Sequence, residues 1–300
     1  MLKDKVRKVK RRLENKKYAA TKEENYPKML KKWYDSSTGE DLDFKNIENF
    51  NQYIQYSKIY NTTAEKRELS DKYRMRDFVK NNLGEKYLPR LYGVYKQFED
   101  VDFENLPKSF VLKCNHGSGM NAIVKDKSKV DKKELKKEFS HWLKMNYAFC
   151  GMGLELQYKE IKPVIICEEY LGDNLVDIQF WCSYGEVLFI SYIKSPHGEN
   201  KKVSFSAKWE QLDFVTSLPR LEEKVARPKQ LEEMLDIAKK VSRNMKFIRL
   251  DFYILDDGSV KISEFTFTPA NGLVGWQPSE MNEKIYEQMM DIAKKRGANE

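Results

Sequence analysis

The sequence predicts an α+β protein in which a helical N-terminal region precedes strands joined as antiparallel hairpins. Three observations carry this. Two pairs of short apolar runs, Ile178–Ser183 with Val187–Ile193 and Phe247–Leu255 with Ser259–Phe267, flank the turn signals Tyr184-Gly185 and Asp257-Gly258. After Pro228, Leu231, Met234, Leu235, Ala238 and Val241 recur at helical spacing. Residues 18 to 70, by contrast, are polar and aromatic with helical patches and no strong strand signal.

The chain opens on a basic stretch. Residues 1 to 17 hold nine Lys or Arg against only Asp4 and Glu14, more than half of the net charge of +8. Leu2, Val6, Val9 and Leu13 form one narrow apolar stripe there, which fits a helix lying on an anionic inner membrane surface or one docked on the protein body. A turn is expected at Asp35 to Gly39. From Ser70, helix N-cap chemistry opens a segment that directs Tyr73, Phe78 and Val79 towards a core.

Strands are then expected at Leu88–Tyr95, Ser109–Asn115 and Val164–Tyr170. Between the last two, Asp131 with Glu134 makes a capping box, and Leu135, Phe139, Trp142 and Leu143 share one helical face. A final helix covers about Glu280 to Lys295.

At 300 residues the chain can bury a core of one or two domains. No run reaches the roughly 20 apolar residues of a membrane span, and the charged start is unlike a secretory signal, so a cytoplasmic protein is expected. Cys114, Cys150, Cys167 and Cys182 show no metal-ligand spacing and read as reduced thiols, mostly in strands. The excess of positive charge suits an anionic partner, and without a nucleic-acid-binding motif nucleic acid is not expected.

Three constellations carry chemistry. In Ser109-Phe-Val-Leu-Lys113-Cys-Asn-His116-Gly117-Ser118-Gly119 a strand ends in a lysine and a small-residue loop follows, whose backbone N–H groups can approach phosphate oxygens. The lysine precedes the glycines, so this is not a Walker loop, and a plain strand-end lysine beside a turn reads equally from this segment alone.

The second lies on the hairpin around Asp257-Gly258. If these two residues form the turn, Asp256 faces Ser259, and counting outward sets Asp251 opposite Glu264 and Arg249 opposite Thr266. Facing carboxylates repel and need a cation, either a hard oxygen-preferring ion such as magnesium or Arg249 in a salt bridge. The third is Val164-Ile-Ile-Cys-Glu168-Glu169-Tyr170-Leu171-Gly172-Asp173, an apolar strand running into acids, against which a flat base can sit while an acid takes ribose hydroxyls. An ordinary strand end with solvated acids has the same appearance.

In sequence order these three features resemble the ATP-grasp superfamily, and within it the TupA-like branch associated with teichuronopeptide and other bacterial cell-surface polysaccharide synthesis. The similarity covers roughly Asp41 to Pro278. It is carried by Ser-Asp-Lys72-Tyr-Arg-Met-Arg76, the Lys113 segment, Glu168-Glu-Tyr-Leu, Glu232-Glu-Met-Leu-Asp-Ile-Ala, Arg249-Leu-Asp-Phe-Tyr and Glu264-Phe-Thr-Phe-Thr-Pro.

The resemblance implies an ATP-grasp fold of two α/β lobes with antiparallel sheets sandwiching the nucleotide. It divides the chain into a helical region at 1–69, a first lobe at 70–168 and a second at 169–300. Lys113 and Arg76 would bind phosphates of ATP, with His116, Gly117, Ser118 and Gly119 closing over them. Glu168, Glu169, Tyr170 and the backbone near Leu171 would meet adenine, and Asp173 or Asp177 the ribose. Asp251 and Glu264 would hold Mg2+, and Arg249 would serve catalysis. Thr266 stands where many relatives carry an asparagine ligand, which Asn271 could replace, and Gln179 stands where the branch has lysine.

The implied activity is ATP-dependent activation of a carboxylate as an acyl phosphate, followed by attack of an amine, with sugar-linked carboxylate and amine substrates. A glycosyltransferase is the enzyme alternative, although no Asp-x-Asp in a plausible loop supports it. A catalytically silent nucleotide- or glycan-binding protein is the alternative of another class.

Overall fold

The computed structural model describes Asn15 and residues 18–173, 175–195 and 198–297. Apart from Asn15, the basic stretch of residues 1 to 17 lies outside the described residues. The chain forms two compact units that interleave in sequence. The first takes the described residues up to Ile47, Ile54–Met75 and Arg90–Tyr170, and the second takes Glu48–Tyr53, Arg76–Pro89 and the described residues from Leu171 onward.

The helices of the N-terminal region are α1 (Tyr26–Thr38), α2 (Phe50–Tyr60), α3 (Ala64–Ser70) and α4 (Met75–Asn82). The turn expected at Asp35 to Gly39 is instead the end of α1. Ser36, Ser37 and Thr38 return their hydroxyls to the carbonyls four residues back, and Gly39 at φ 76 supplies the left-handed cap. Ser70 likewise ends α3 and opens nothing. Asp71 accepts from the amides of Tyr73 and Arg74 ahead of α4, and this turn leaves Tyr73 40% exposed, whereas Val79 is buried as expected.

In the first unit a four-stranded antiparallel sheet runs in the order β1 (Leu91–Tyr95), β4 (Ile165–Glu169), β2 (Phe110–Cys114), β3 (Asn121–Val124). Asp131 caps α5 (Lys132–Trp142) by accepting from Lys133 N and Glu134 N. Phe139 of that helix joins Phe110, Leu112, Cys114, Ile165 and Cys167 in one buried cluster, with Leu135, Trp142 and Leu143 packed against it. One sheet face is thereby spent on the core. Strand alternation turns Val111, Lys113, Ile166 and Glu168 to the other.

The second unit carries a six-stranded antiparallel sheet in the order β11 (Val260–Thr266), β10 (Ile248–Ile254), β5 (Val176–Ser183), β6 (Glu186–Lys194), β7 (Lys201–Phe205), β8 (Gln211–Leu212). A second, two-stranded sheet pairs β9 (Val215–Thr216) with β12 (Trp276–Gln277). Helix α6 (Leu231–Ser242) packs on β5, β6 and β10 through Leu231, Met234, Ala238 and Val241, and α7 (Met281–Lys295) packs on β5, β6 and β12. Phe50, Trp181, Phe189, Phe247 and Trp276 interlock in an aromatic core with ring centroids 4.8–6.0 Å apart.

Tyr184 (φ 46) and Gly185 (φ 86) make the expected two-residue hairpin turn, with Ser183 facing Glu186. The turn at Asp257-Gly258 departs from expectation. Leu255 N bonds Ser259 O, Gly258 takes φ 80, and Ile254 faces Val260, so the inner hairpin is one residue out of the counted register. An irregularity between Asp251 and Phe252 puts the extra residue back, and beyond it Asp251 faces Glu264 and Arg249 faces Thr266, as counted. The four cysteines are free thiols, three of them in strands.

Candidate functional site

Each unit carries one half of the residues singled out from the sequence. In the first, Lys113 on β2 faces Ile166 and Asn121, while Glu168 on β4 faces Val111 and Leu91. The two charged residues are thus diagonal neighbours on a face whose other members are mainly apolar. Lys113 Nζ and Glu168 Oε2 lie 2.8 Å apart, with side-chain exposures of 22% and 7%. Such a pair balances a buried carboxylate while leaving the ammonium partly open to an added anion.

The glycine loop follows directly. His116 is buried with Nε2 3.1 Å from the Trp142 carbonyl, and burial pushes its pKa down, favouring the neutral ring. Glu169 Oε2 accepts from the Arg90 amide at 3.2 Å, and the Glu169 amide bonds the Arg90 carbonyl. Tyr170 ends this unit. Arg76 is in the second unit, where Nη2 donates to the Pro89 carbonyl at 2.8 Å.

In the second unit Glu264, Asp251, Gln179, Ser191 and Ser204 stand opposite one another across β11, β10, β5, β6 and β7. This is a polar row through the middle of a buried sheet. Arg249 Nε donates to Asp251 Oδ1 at 2.7 Å and Nη2 to Asp251 Oδ2 at 2.5 Å, a bidentate contact, while Nη2 also reaches Thr266 Oγ1 at 3.2 Å and Glu264 Oε1 at 3.5 Å. The facing carboxylates are present together with the Arg249 salt bridge that the sequence offered as the alternative to a metal ion.

Burial pushes the Asp251 carboxyl above the ordinary carboxylate range even though Arg249 pulls it back. Asp177 is raised in the same way, first by burial and then by the charge of Asp251. Burial alone would lower the pKa of Arg249, but Asp251, Glu264 and Asp177 together hold it above its usual value. Burial thus keeps Asp251 and Asp177 raised against the pull of a single guanidinium.

The sequence reading missed Lys202. Its Nζ donates to Thr216 Oγ1 at 2.9 Å, burial lowers its pKa to about 8, and the charges of Asp251 and Asp177 act on it. Strand alternation at Lys202, Val203, Ser204 and Phe205 is the signal that could have found β7.

Magnesium is implied by the resemblance, and the donor chemistry fits it. Asp177 Oδ1 and Gln179 Oε1 are buried oxygens without a hydrogen-bond partner, on the same face as the Asp251 and Glu264 carboxylates and the Thr266 hydroxyl. An all-oxygen set suits a hard cation. Among the described residues no group of three or more His, Cys, Asp and Glu side chains is arranged to hold a metal alone, so phosphate oxygens or water would complete the shell. Gln179 Nε2 bonds Asp177 Oδ2 at 3.0 Å and Asp251 Oδ2 at 3.5 Å, a neutral donor in the place of the expected lysine.

With Lys113 at a strand end before a glycine loop, and Asp251 opposite Glu264, the chain has the features that the resemblance requires in the required order. A family model described as TupA-like ATPgrasp matches residues 52–290. The chain belongs to this family. Its mixed helices and antiparallel sheets, with a helical N-terminal region, are the fold class expected of this ATP-grasp protein.

Among curated proteins none matches the chain significantly. Solved structures similar to it include the L-amino acid ligase from Bacillus licheniformis, at 14% identity and a TM-score of 0.46 over 74% of this chain and 50% of that one. The D-alanine–D-alanine ligase from Bacillus anthracis aligns at 20% identity and a TM-score of 0.40, covering 76% of this chain and 69% of that one. An N5-carboxyaminoimidazole synthase from Aspergillus clavatus, solved with ADP, aligns at 12% identity and a TM-score of 0.39, over 69% and 46%. This chain spans about half the length of the Bacillus licheniformis ligase. The family match does not support the glycosyltransferase alternative. No described helix is long and apolar enough to cross a membrane.

Proposed function

We propose that this ATP-grasp chain is an ATP- and magnesium-dependent ligase that activates a carboxylate as an acyl phosphate for amide formation, in the building of a bacterial surface polysaccharide such as a capsule or teichuronopeptide. The observation that carries the proposal is the register that sets Asp251 against Glu264, beside Arg249 and the unpartnered oxygens of Asp177 and Gln179.

In this reading Lys113, with Arg76 and the loop from His116 to Gly119, binds the phosphates. Glu168, Glu169, Tyr170 and the backbone near Leu171 meet adenine, and Asp173 or Asp177 the ribose. Asp251 and Glu264, with Thr266, hold magnesium, which when bound offsets phosphate charge. A carboxylate oxygen of one substrate displaces ADP from the terminal phosphorus. The amine of the second then displaces phosphate from the acyl carbon and loses a proton. Arg249 offsets charge on the transferring group, and exclusion of water protects the acyl phosphate. Sugar-linked substrates and peripheral contact of residues 1 to 17 with the inner membrane surface belong to the same proposal, which leaves the protein cytoplasmic.

Thermal unfolding with ligands tests this. ATP with magnesium at about 100 times its dissociation constant should stabilise the protein by about 2.7 kcal/mol. UDP-sugars should not. Stabilisation by UDP-sugars and not by ATP with magnesium would overturn the proposal in favour of a glycosyltransferase.

A further inference from the structure

We infer that Asn115 is a positioning residue that clamps the base of the glycine loop, an inference that rests on the nucleotide-binding reading above. Asn115 is the first residue after β2 and is 1% exposed. Its side chain meets two separate segments, one before α4 and one leading into β4. Nδ2 donates to Asp71 Oδ1 at 2.9 Å and to the Lys162 carbonyl at 3.1 Å, and Oδ1 accepts from the Val164 amide at 2.8 Å. Its main chain adds two contacts, donating to the Val164 carbonyl at 3.1 Å and accepting from the Lys72 amide at 3.0 Å. Every hydrogen-bonding group of the residue is engaged.

The tethering continues along the loop. Lys72 Nζ donates to the Gly117 carbonyl at 2.8 Å, and His116 is held against the Trp142 carbonyl. A Cβ at Gly117 would come within 2.2 Å of Met120 Cε and 2.4 Å of the Tyr147 ring, whereas a Cβ at Gly119 would meet nothing within 4 Å. The loop is therefore fixed up to Gly117 and open at Ser118 and Gly119. Through Asn115 the strand end bearing Lys113 is coupled to the segment before α4 and to the entry of β4, which bears Glu168. A loop ordered in advance meets an anion without a further ordering cost, so the clamp acts on nucleotide affinity more than on the chemical step.

Two readouts on the full chain test the clamp: amide hydrogen exchange of residues 116–120 without nucleotide, and KM and kcat for ATP in magnesium-dependent ADP release. Asn115→Ala should speed exchange in the loop and raise KM, each about tenfold, with kcat changed less than about threefold. Asn115→Asp, whose carboxylate faces that of Asp71, should do the same, and adding Asp71→Asn restores that donor–acceptor pair, without the bond to the Lys162 carbonyl, and should recover part of both readouts. If Asn115→Ala does not fold, the Asn115→Asp variant and its double partner carry the test. Loop exchange and KM like those of the unaltered protein in a folded single variant, or no recovery in the double variant, would overturn the clamp. A chain that neither binds nor hydrolyses ATP defeats the nucleotide reading, while loop exchange still decides whether Asn115 clamps.

Discussion

Arg249 grips both carboxylate oxygens of Asp251, two residues along the same strand, on a face where Glu264 stands directly opposite Asp251. The contact binds a buried acid to a buried base and leaves Glu264 at longer range, 3.5 Å from the guanidinium. Its energetic consequence is asymmetric. Arg249→Met removes the partner and strands a buried carboxylate, which should destabilise the protein by about 3–5 kcal/mol. Adding Asp251→Asn removes the stranded charge and should recover part of that loss. Chemical unfolding of the two variants checks this, and a single Arg249→Met variant as stable as the unaltered protein would contradict it.

The two loop glycines should respond differently to a methyl group. Gly117→Ala would drive Cβ into Met120 and Tyr147 and should cost about 1–3 kcal/mol through overpacking. Gly119, at φ 70 with open space around it, should lose about 1–2 kcal/mol from backbone strain alone. Exchange protection separates them. The Gly117 variant should loosen residues 142–147 as well as the loop, and the Gly119 variant only the loop.

The Lys58 ammonium of α2 predicts a pH dependence in the first unit. It is 1% exposed, bonds Gln55 Oε1 at 2.8 Å and lies 4.9 Å from the Trp33 ring centroid. Burial lowers its pKa to about 7 despite the charge of Glu155, and burial lowers Lys66 to about 8. The unfolded chain therefore binds more protons than the native one above pH 7. The cost of burying charge is fully present below that and is relieved as pH rises towards the unfolded value. Stability should rise between pH 7 and 9, by at most about 1.4 kcal/mol per pH unit for each such lysine. Lys58→Met should flatten the slope, and an unchanged slope from unfolding curves across this window would refute the assignment.

These elements show how far the sequence could be read. Local chemistry was legible: Asp131 caps α5, Tyr184-Gly185 turns β5 into β6, and the periodic apolar residues of α6 and α7 meet the sheet. The facing of Asp251 and Glu264 was also legible, but by compensation. The turn is longer than two residues, and the irregularity beside Phe252 returns the ladder to the counted register. Turn residues report the turn, whereas a bulge depends on how neighbouring strands twist and pack.

Other features depend on distant partners and left no local mark. Asn115 reads as an ordinary residue before a glycine loop, yet its side chain meets Asp71, Lys162 and Val164. Lys58 and Lys66 read as solvated helix lysines until Gln55 and Ser57 receive them inside the fold. Lys202 lies on a strand whose alternation is a local signal, but its burial against Thr216 is not.

The most direct test of the proposed site is magnesium-dependent ADP release by Glu264→Gln. Glu264 is the less buried of the facing acids, with 29% of its side chain exposed against 5% for Asp251, so its neutralisation leaves the Arg249–Asp251 pair in place. The account predicts a melting temperature within a few degrees of the unaltered protein and a loss of ADP release of about 100-fold or more, partly relieved by raised magnesium. Full ADP release by a folded Glu264→Gln variant would contradict it.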